Sequence, residues 1–222
     1  VIYKKVDKMR YLIVCGGKID KEFGLNEIKT DGIDAIIAAD SGMDFLYENG
    51  VTPDIIVGDF DSTTTNALEY FERKGQTEIR RLNPIKDDTD TEYAIRLAIS
   101  EGARSIVLLG ATGSRIDHVL GNISLLGIGL ESGTDISIID TNNRIRMADK
   151  PVTIEKSAQY GRFVSLIALT DDNEVSLKGF KYPVTDYSFD RFTSLGISNE
   201  IVDDHALIDI HRGKFIIIES KD

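Results

Sequence analysis

Several residue types that would narrow the function of this chain of 222 residues are rare or missing. There is no tryptophan, and the single Cys15 excludes a disulfide within the chain. Basic residues are also few, because 26 lysines and arginines stand against 37 aspartates and glutamates, giving a net charge of -11. A nucleic-acid partner is therefore not expected, since binding to a phosphate backbone requires a basic surface.

Long hydrophobic runs are missing as well. No apolar stretch approaches a membrane span, and the opening residues are too charged for a secretory signal, so we expect a cytoplasmic protein with no membrane partner. Hydrophobic residues make up 41% and charged residues 28% of the chain, which is ordinary for a globular protein with a buried core. Cys15 follows a strand-like run and is interpreted as a buried core thiol rather than a nucleophile.

The first part of the chain alternates apolar runs with amphipathic segments. The predicted strands are Tyr11–Cys15, Ala35–Ala39, Ile55–Val57, Glu78–Leu82, Ser105–Leu109 and Ile136–Ile139. The predicted helices are Gly42–Asn49, Thr63–Lys74, Thr89–Glu101 and Arg115–Ser132. Strand and helix in alternation predict a mostly parallel sheet with helices on both faces, a Rossmann-like α/β arrangement.

After about residue 142 the helical period disappears and short strands follow one another closely. They are predicted at Arg144–Met147, Val152–Ile154, Phe163–Leu169, Val175–Leu177, Ala206–His211 and Lys214–Glu219. Arg212-Gly213 is interpreted as the turn of a hairpin between the last two strands. We therefore predict an α/β domain over residues 1–141 and an all-β sandwich domain over residues 142–222.

Two aspartates one residue apart follow the apolar run that ends at Val57. In an extended segment side chains alternate, so Asp59 and Asp61 are expected to point the same way while Phe60 turns towards the interior. Two carboxylates in this arrangement suit Mg²⁺, which prefers oxygen ligands and is often shared with substrate phosphates. The alternative is a turn followed by a helix cap, because Asp and Ser are also favoured there.

Polar side chains follow four of the predicted strands where each strand ends. They are Asp40, the pair Asp59 and Asp61, the group Asp87, Asp88 and Asp90, and the pair Arg115 and Asp117. Ligands of open parallel sheets bind beyond the carboxyl ends of the strands, so this regularity predicts a metal and phosphate site at that rim. No standard phosphate-binding glycine motif is present, and Gly110-Ala111-Thr112-Gly113-Ser114-Arg115 is the nearest substitute.

Five short motifs stand in a fixed order along the chain. They are Ala39-Asp40-Ser41-Gly42, then Pro53-Asp54 leading to Gly58-Asp59-Phe60-Asp61-Ser62, then Lys86-Asp87-Asp88-Thr89-Asp90, then Gly113-Ser114-Arg115-Ile116-Asp117-His118, and finally Gly196-Ile197-Ser198-Asn199. Together, and over nearly the whole chain from Tyr11, they strongly resemble the thiamine pyrophosphokinase family. The resemblance implies an α/β half followed by a β-sandwich half. It also implies an enzyme that transfers the terminal diphosphate of ATP to the hydroxyl of thiamine, giving thiamine diphosphate and AMP, as a homodimer.

The resemblance assigns roles to individual residues. It implies that Mg²⁺ is held against the ATP phosphates by the catalytic residues Asp59, Asp61 and Asp90. The implied ATP-binding residues are Asp40, Ser41, Thr89, Arg115, Asp117 and His118. The implied thiamine-binding residues are Asp87, Ser198 and Asn199, in a site that the two subunits of the homodimer share.

Several points stay open at the level of sequence. Asp87 or Asp90 is a candidate acceptor for the hydroxyl proton, and His118 either takes a direct chemical role or only caps and packs. Lys86 stands where some relatives carry a neutral amide. Without tryptophan, an aromatic wall for thiamine has to come from phenylalanine or tyrosine, and Phe189 and Phe192 are both candidates. Alternative functions are diphosphate transfer to another alcohol, such as a hydroxymethyl pterin, and a non-catalytic nucleotide or thiamine sensor.

Overall fold

The computed structural model describes residues 9–60, 66–83 and 88–222. The chain divides into two compact units, Val1–Asp140 and Thr141–Asp222. This division lies one residue before the domain boundary predicted from the sequence. Each unit has its own hydrophobic cluster.

A parallel sheet of six strands forms the centre of the first unit. In chain order they are β1 (Arg10–Val14), β2 (Ala35–Ala39), β3 (Ile55–Gly58), β4 (Glu78–Arg81), β5 (Ser105–Leu109) and β6 (Asp135–Ile139). The spatial order is β6-β5-β1-β2-β3-β4, and every neighbouring pair is parallel. The chain therefore reverses its direction across the sheet between β1 and β5, and ligands of such sheets bind at this switch point.

Helices cover both faces of this sheet. They are α1 (Lys21–Ile28), α2 (Gly42–Glu48), α3 (Ala67–Lys74), α4 (Asp90–Ser100) and α5 (Ile116–Ser132). Leu12 and Val14 of β1 share a cluster with residues of α2 and α3 such as Leu46 and Phe71. The alternate residue of β1, Ile13, is also fully buried. Burial of both sides of β1 explains why the strands are continuous apolar runs.

The first helix is absent from the sequence prediction. The Asp20 carboxylate caps α1 by accepting a hydrogen bond from the Phe23 amide at 2.9 Å. Gly24 is the buried residue of this short helix, and a Cβ there would lie 2.6 Å from the Phe45 ring. Because a glycine fills the position where a helix normally carries an apolar side chain, α1 has no periodic apolar stripe to detect.

Two antiparallel sheets form the second unit. Its strands are β7 (Asn143–Ala148), β8 (Val152–Glu155), β9 (Phe163–Ala168), β10 (Glu174–Lys178), β11 (Val184–Ser188), β12 (Asn199–Glu200), β13 (His205–Arg212) and β14 (Phe215–Ser220). One sheet has the order β12-β9-β14-β7 and the other β11-β10-β13-β8. Buried residues of both sheets, among them Leu166, Val175, Ile208 and Phe215, form one core cluster. The predicted fold class, an α/β domain followed by a β-sandwich, is confirmed.

The predicted hairpin at Arg212-Gly213 is wrong. β13 pairs with β10 and β8, whereas β14 pairs with β7 and β9 in the other sheet. The two residues therefore turn a corner between sheets. Gly213 has φ 91°, and a Cβ there would lie 2.2 Å from Asn173 Oδ1, so the corner requires glycine. Both strands show the same alternation of apolar and polar residues, and this alternation does not indicate which sheet each strand joins.

Of the helices in the described ranges, none is both long enough and apolar enough to cross a membrane.

Candidate active site

Three carboxylates converge at the carboxyl end of the parallel sheet. Asp40 follows β2, Asp59 follows β3, and Asp90 is the first residue of α4. Their ligand oxygens all lie within 4.8 Å of one another. The structure thus brings together two of the predicted metal residues, and it adds Asp40, which the sequence analysis assigned to ATP.

Backbone pairing fixes Asp40 beside Asp59. The Asp40 amide donates to the Val57 carbonyl at 2.7 Å, which extends the parallel pairing of β2 with β3 by one bond. Asp40 has φ 48°, a left-handed conformation that is uncommon for a residue other than glycine. A Cβ on Gly58 would lie 3.2 Å from the Asp40 Cα, so glycine allows this close approach.

The extended geometry predicted around Asp59 is wrong at Phe60. Phe60 has φ 63°, so the segment does not continue as a strand and the alternation of side chains does not apply. Its side chain nevertheless packs against the hydrophobic cluster of the first unit, as expected. Asp61, Lys86 and Asp87 lie outside the described residues.

Capping by Thr89 sets the position of Asp90. The Thr89 hydroxyl accepts a hydrogen bond from the Glu92 amide at 3.2 Å, so helix α4 begins at Asp90. Thr91 in the same turn donates from its hydroxyl to Cys15 Sγ at 3.7 Å. Burial raises the pKa of Cys15 to about 11, so this thiol stays protonated at neutral pH, which agrees with a core role.

A cleft of about 490 Å³ lies at this rim. Two loops meet there, Cys15 to Lys18 after β1 and Gly110 to Arg115 after β5. The Gly17 amide donates to the Gly110 carbonyl at 2.9 Å, and a Cβ on Gly17 would lie 2.8 Å from the Gly113 Cα. These contacts occur at the switch point of the sheet. The predicted site residues that line the cleft are Asp40, Ser41, Asp59, Thr89, Asp90, Arg115 and His118.

Arg115 and Asp117 form a two-point ion pair. Arg115 Nε and Nη2 donate to the two carboxylate oxygens of Asp117 at 3.2 and 2.6 Å. The His118 amide donates to the same carboxylate at 2.9 Å. The Arg115 guanidinium, together with this amide, lowers the pKa of Asp117 to about 2. Both side chains of the pair are largely exposed. Of the two, Arg115 is among the described residues that line the cleft and Asp117 is not.

Sequence reasoning missed several residues that line the cleft. They are Gly16, Gly17 and Asn122. Asn122 lies on α5 and donates from Nδ2 to the Ala111 carbonyl at 2.8 Å. The signal available in the sequence was the position of Gly16-Gly17 directly after β1. A pair of glycines there does not match any standard phosphate-loop pattern.

In the second unit, Ser198 and Asn199 lie at the start of the short strand β12. Ser198 has φ 60°, and its amide donates to the Ser165 hydroxyl at 3.0 Å. The Asn199 side chain is buried and holds the backbone of Tyr182, because its Nδ2 donates to the Tyr182 carbonyl at 2.9 Å and its Oδ1 accepts from the Tyr182 amide at 3.1 Å. Asn199 therefore has a structural role within this unit, because it holds the Tyr182 backbone in place.

The two candidate aromatic residues lie in different environments. Phe189 is buried and stacks edge-on against Phe215 and Tyr187 in the core of the second unit. Phe192 is 91% exposed, with the Arg191 guanidinium 5.6 Å from its ring centroid. Of the two, only Phe192 has a ring face accessible to a ligand.

The carboxylate cluster fits a divalent cation. Carboxylate oxygens are the ligands that hard cations prefer, and Asp40, Asp59 and Asp90 each offer one at compatible separations. Three like charges this close repel one another, and a bound cation would relieve that repulsion.

Comparisons with known proteins agree with this site and fold. The family model for the thiamin pyrophosphokinase catalytic domain matches residues 29–138, and the model for its vitamin B1 binding domain matches residues 151–215. The thiamine pyrophosphokinase of Bacillus subtilis (strain 168) is 34% identical over 188 residues, which cover 84% of this chain and 87% of that protein. The chain belongs to the thiamine pyrophosphokinase family.

Solved structures of thiamine pyrophosphokinases have the same fold. The crystal structure of the Bacillus subtilis protein matches with a TM-score of 0.86 and 31% identity, covering 96% of this chain and 99% of that one. The Geobacillus thermodenitrificans structure matches with a TM-score of 0.84 and 29% identity, covering 96% and 98%. The predicted family and the predicted enzyme class, a thiamine diphosphokinase, are confirmed.

Proposed function

We propose that the cleft of the first unit binds ATP with Mg²⁺ and transfers the terminal diphosphate to the hydroxyl of thiamine. The observation that carries this proposal is the carboxylate cluster of Asp40, Asp59 and Asp90, whose residues line the same cleft as several glycines. The thiamine oxygen forms a bond to the β-phosphorus as the bond from that phosphorus to the AMP oxygen breaks. The hydroxyl proton is released, and the products are thiamine diphosphate and AMP.

The proposed metal ligands are Asp59, Asp90 and Asp40, with Asp61 as a further candidate from the sequence. When bound, Mg²⁺ supplies positive charge that offsets the charge of the phosphate oxygens. The protein's own contribution is to fix the positions of the carboxylates that would hold the metal. Asp40 and Asp59 are fixed by the pairing of β2 with β3, and Asp90 is fixed by the cap of α4. Positioning of this kind accounts for most of the catalysis in phosphoryl transfer.

The proposed ATP contacts come from the ends of three strands. Ser41 and Thr89 offer hydroxyl groups at the cleft, and Arg115 offers a guanidinium that suits phosphate oxygens. Arg115 is held by Asp117 through two hydrogen bonds, so Asp117 is proposed as a positioning residue. His118, which also lines the cleft, is proposed to contact the nucleotide.

For thiamine, we propose contacts from Ser198 and from Asp87, with Phe192 as the aromatic partner. Asn199 is proposed to act by holding the backbone of Tyr182, to which both ends of its side-chain amide are bound. The match of residues 151–215 to the vitamin B1 binding domain supports thiamine over a pterin alcohol.

We also propose a homodimer with shared active sites, working in the cytoplasm. Exposed apolar side chains support this assembly. Ile116 and Leu120 lie one turn apart on α5, and Phe192, Leu195 and Ile197 lie close together in the loop before Ser198. A two-fold contact would cover such surfaces in both subunits at once.

The test measures AMP released from ATP and Mg²⁺, with thiamine and with a hydroxymethyl pterin in parallel. We expect AMP only with thiamine. Asp59→Asn should lower the rate by about a hundredfold or more, because misplaced reactants alone cost that much. The control Asp31→Asn removes an exposed carboxylate that precedes β2, whereas Asp40 follows that strand, and should be neutral. Two outcomes would contradict the proposal. One is AMP release with the pterin but not with thiamine, and the other is full activity of Asp59→Asn at limiting Mg²⁺.

A further inference from the structure

Two carbonyl oxygens of the loop after β5 accept hydrogen bonds from other parts of the protein. The Gly110 carbonyl accepts from the Gly17 amide at 2.9 Å, and the Ala111 carbonyl accepts from Asn122 Nδ2 at 2.8 Å. Peptide bonds here are trans, so each N–H points away from the carbonyl of the same peptide unit. The two bonds fix the peptide units that contain the Ala111 and Thr112 amides and so hold the loop in place beside the cleft.

The amide groups of this loop have no partner in the part of the chain that the structure describes. Among the described residues, the N–H groups of Ala111, Thr112, Gly113 and Ser114 donate no hydrogen bond to another protein group. Gly110, Ala111, Gly113 and Ser114 all line the cleft. Successive unpaired amides at a concave surface attract anions, whereas a carbonyl oxygen turned the same way would repel them.

Asn122 is the side chain that holds this arrangement. It lies on α5 at the edge of the cleft, and its described hydrogen bond is the one to Ala111. We propose that Asn122 is a positioning residue for phosphate binding, because it holds the Ala111 carbonyl and with it the loop in which the cleft-lining residues Gly113 and Ser114 have unbonded amides for the phosphates of the nucleotide. This inference rests on the proposed function, in which those phosphates belong to ATP.

The chain offers a matched control for Asn122. Asn49 donates from Nδ2 to the Phe45 carbonyl at 2.7 Å, the same kind of bond at the end of α2. Asn49→Ala therefore removes the same atoms and one hydrogen bond to a backbone carbonyl, away from the cleft. A loss of general stability affects both variants, whereas a loss of phosphate binding affects only Asn122→Ala.

The experiment is a calorimetric titration of the full chain with the Mg²⁺ complex of α,β-methylene-ATP, whose bridging carbon prevents transfer. We expect Asn122→Ala to bind this nucleotide about fivefold to tenfold more weakly, the effect of one lost hydrogen bond. AMP, which lacks the diphosphate, should bind Asn122→Ala within about twofold of the unchanged protein. Asn49→Ala should match the unchanged protein with both ligands. Equal losses in the two variants, or no loss in Asn122→Ala, would overturn the proposal.

A second measurement does not depend on the variant folding. In the unchanged protein, the nitrogen-15 NMR signals of Gly113 and Ser114 should shift when the methylene nucleotide is added, and less so with AMP. Signals that do not move would overturn the proposal. Because neither measurement requires turnover, the result remains interpretable if thiamine is not the acceptor.

Discussion

The substitution Asp40→Asn tests the carboxylate cluster directly, because it keeps the shape of the side chain and removes its charge. The ligand oxygens of Asp40, Asp59 and Asp90 lie within 4.8 Å of one another. At about that separation two unit charges repel by about 1 kcal/mol in a water-like dielectric, and by about 3.5 kcal/mol at an effective dielectric constant of about 20. The three residues are half-buried, so each pairwise repulsion lies between these limits.

Removing one charge relieves two of the three repulsions. We expect the metal-free Asp40→Asn protein to gain about 2 kcal/mol of unfolding free energy, a value near the lower limit because solvent and salt screen partly exposed groups. For a protein of this size, that gain raises the melting temperature by about 4–8 °C. Binding of Mg²⁺ should weaken by at least about tenfold, since even substitutions outside the metal shell cost that much.

The assay is thermal unfolding followed by circular dichroism, first with a chelator and then across a Mg²⁺ titration. Asp31→Asn, in the same unit and exposed, should change neither quantity. A metal-free Asp40→Asn protein that melts at a lower temperature and keeps its Mg²⁺ affinity would refute the reasoning, because Asp40 would then be a structural residue.

Three further predictions concern other parts of the site. Because the pKa of Asp117 is lowered to about 2, the stabilisation from its pair with Arg115 is complete above the unfolded value of 3.8 and is lost as the pH falls through about 2. In Arg115→Gln a carbon-13 NMR titration should find the pKa of Asp117 shifted up towards 3.8, and an unchanged midpoint would contradict the pairing. Asn199→Ala should lower the unfolding free energy by about 1–3 kcal/mol, since it leaves the Tyr182 backbone unpaired, and should raise the KM for thiamine more than that for ATP. Equal rises in both constants would argue against a role near thiamine. Mixing Asp59→Asn chains with Asn199→Ala chains should restore activity through the one intact site of the heterodimer, and a dimer without complementation would mean that each site is built within one chain.

Strong periodic signals in the sequence predicted most of the fold. The strands of the parallel sheet are buried on both faces, so they stand out as apolar runs, and β2 and β5 have the predicted bounds. Helix α1 was missed because its buried position is Gly24, which leaves no apolar stripe. The exchange of β13 and β14 between sheets was missed because period-two patterning describes one strand at a time.

The sequence predicted those parts of the site whose chemistry resides in side chains. Asp59 and Asp90 are brought together at the rim as expected, since parallel strands deliver their carboxyl ends to one edge of the sheet. Asp40 was predicted at the same rim but among the ATP contacts, and a sequence pattern does not reveal the left-handed backbone that it adopts in the cluster. Gly17 and Asn122 act through backbone hydrogen bonds of the loop after β5, and these depend on contacts between segments distant in the chain.

The central claim is that a diphosphate, rather than a single phosphate, is transferred in one step. Phosphorus-31 NMR of a reaction containing the full chain, ATP, Mg²⁺ and thiamine tests this most directly, because it follows both products together. We predict that AMP and thiamine diphosphate accumulate in equal amounts from the start of the reaction, with no thiamine monophosphate. Formation of ADP and thiamine monophosphate, or hydrolysis of ATP without any phosphorylated thiamine, would contradict the account.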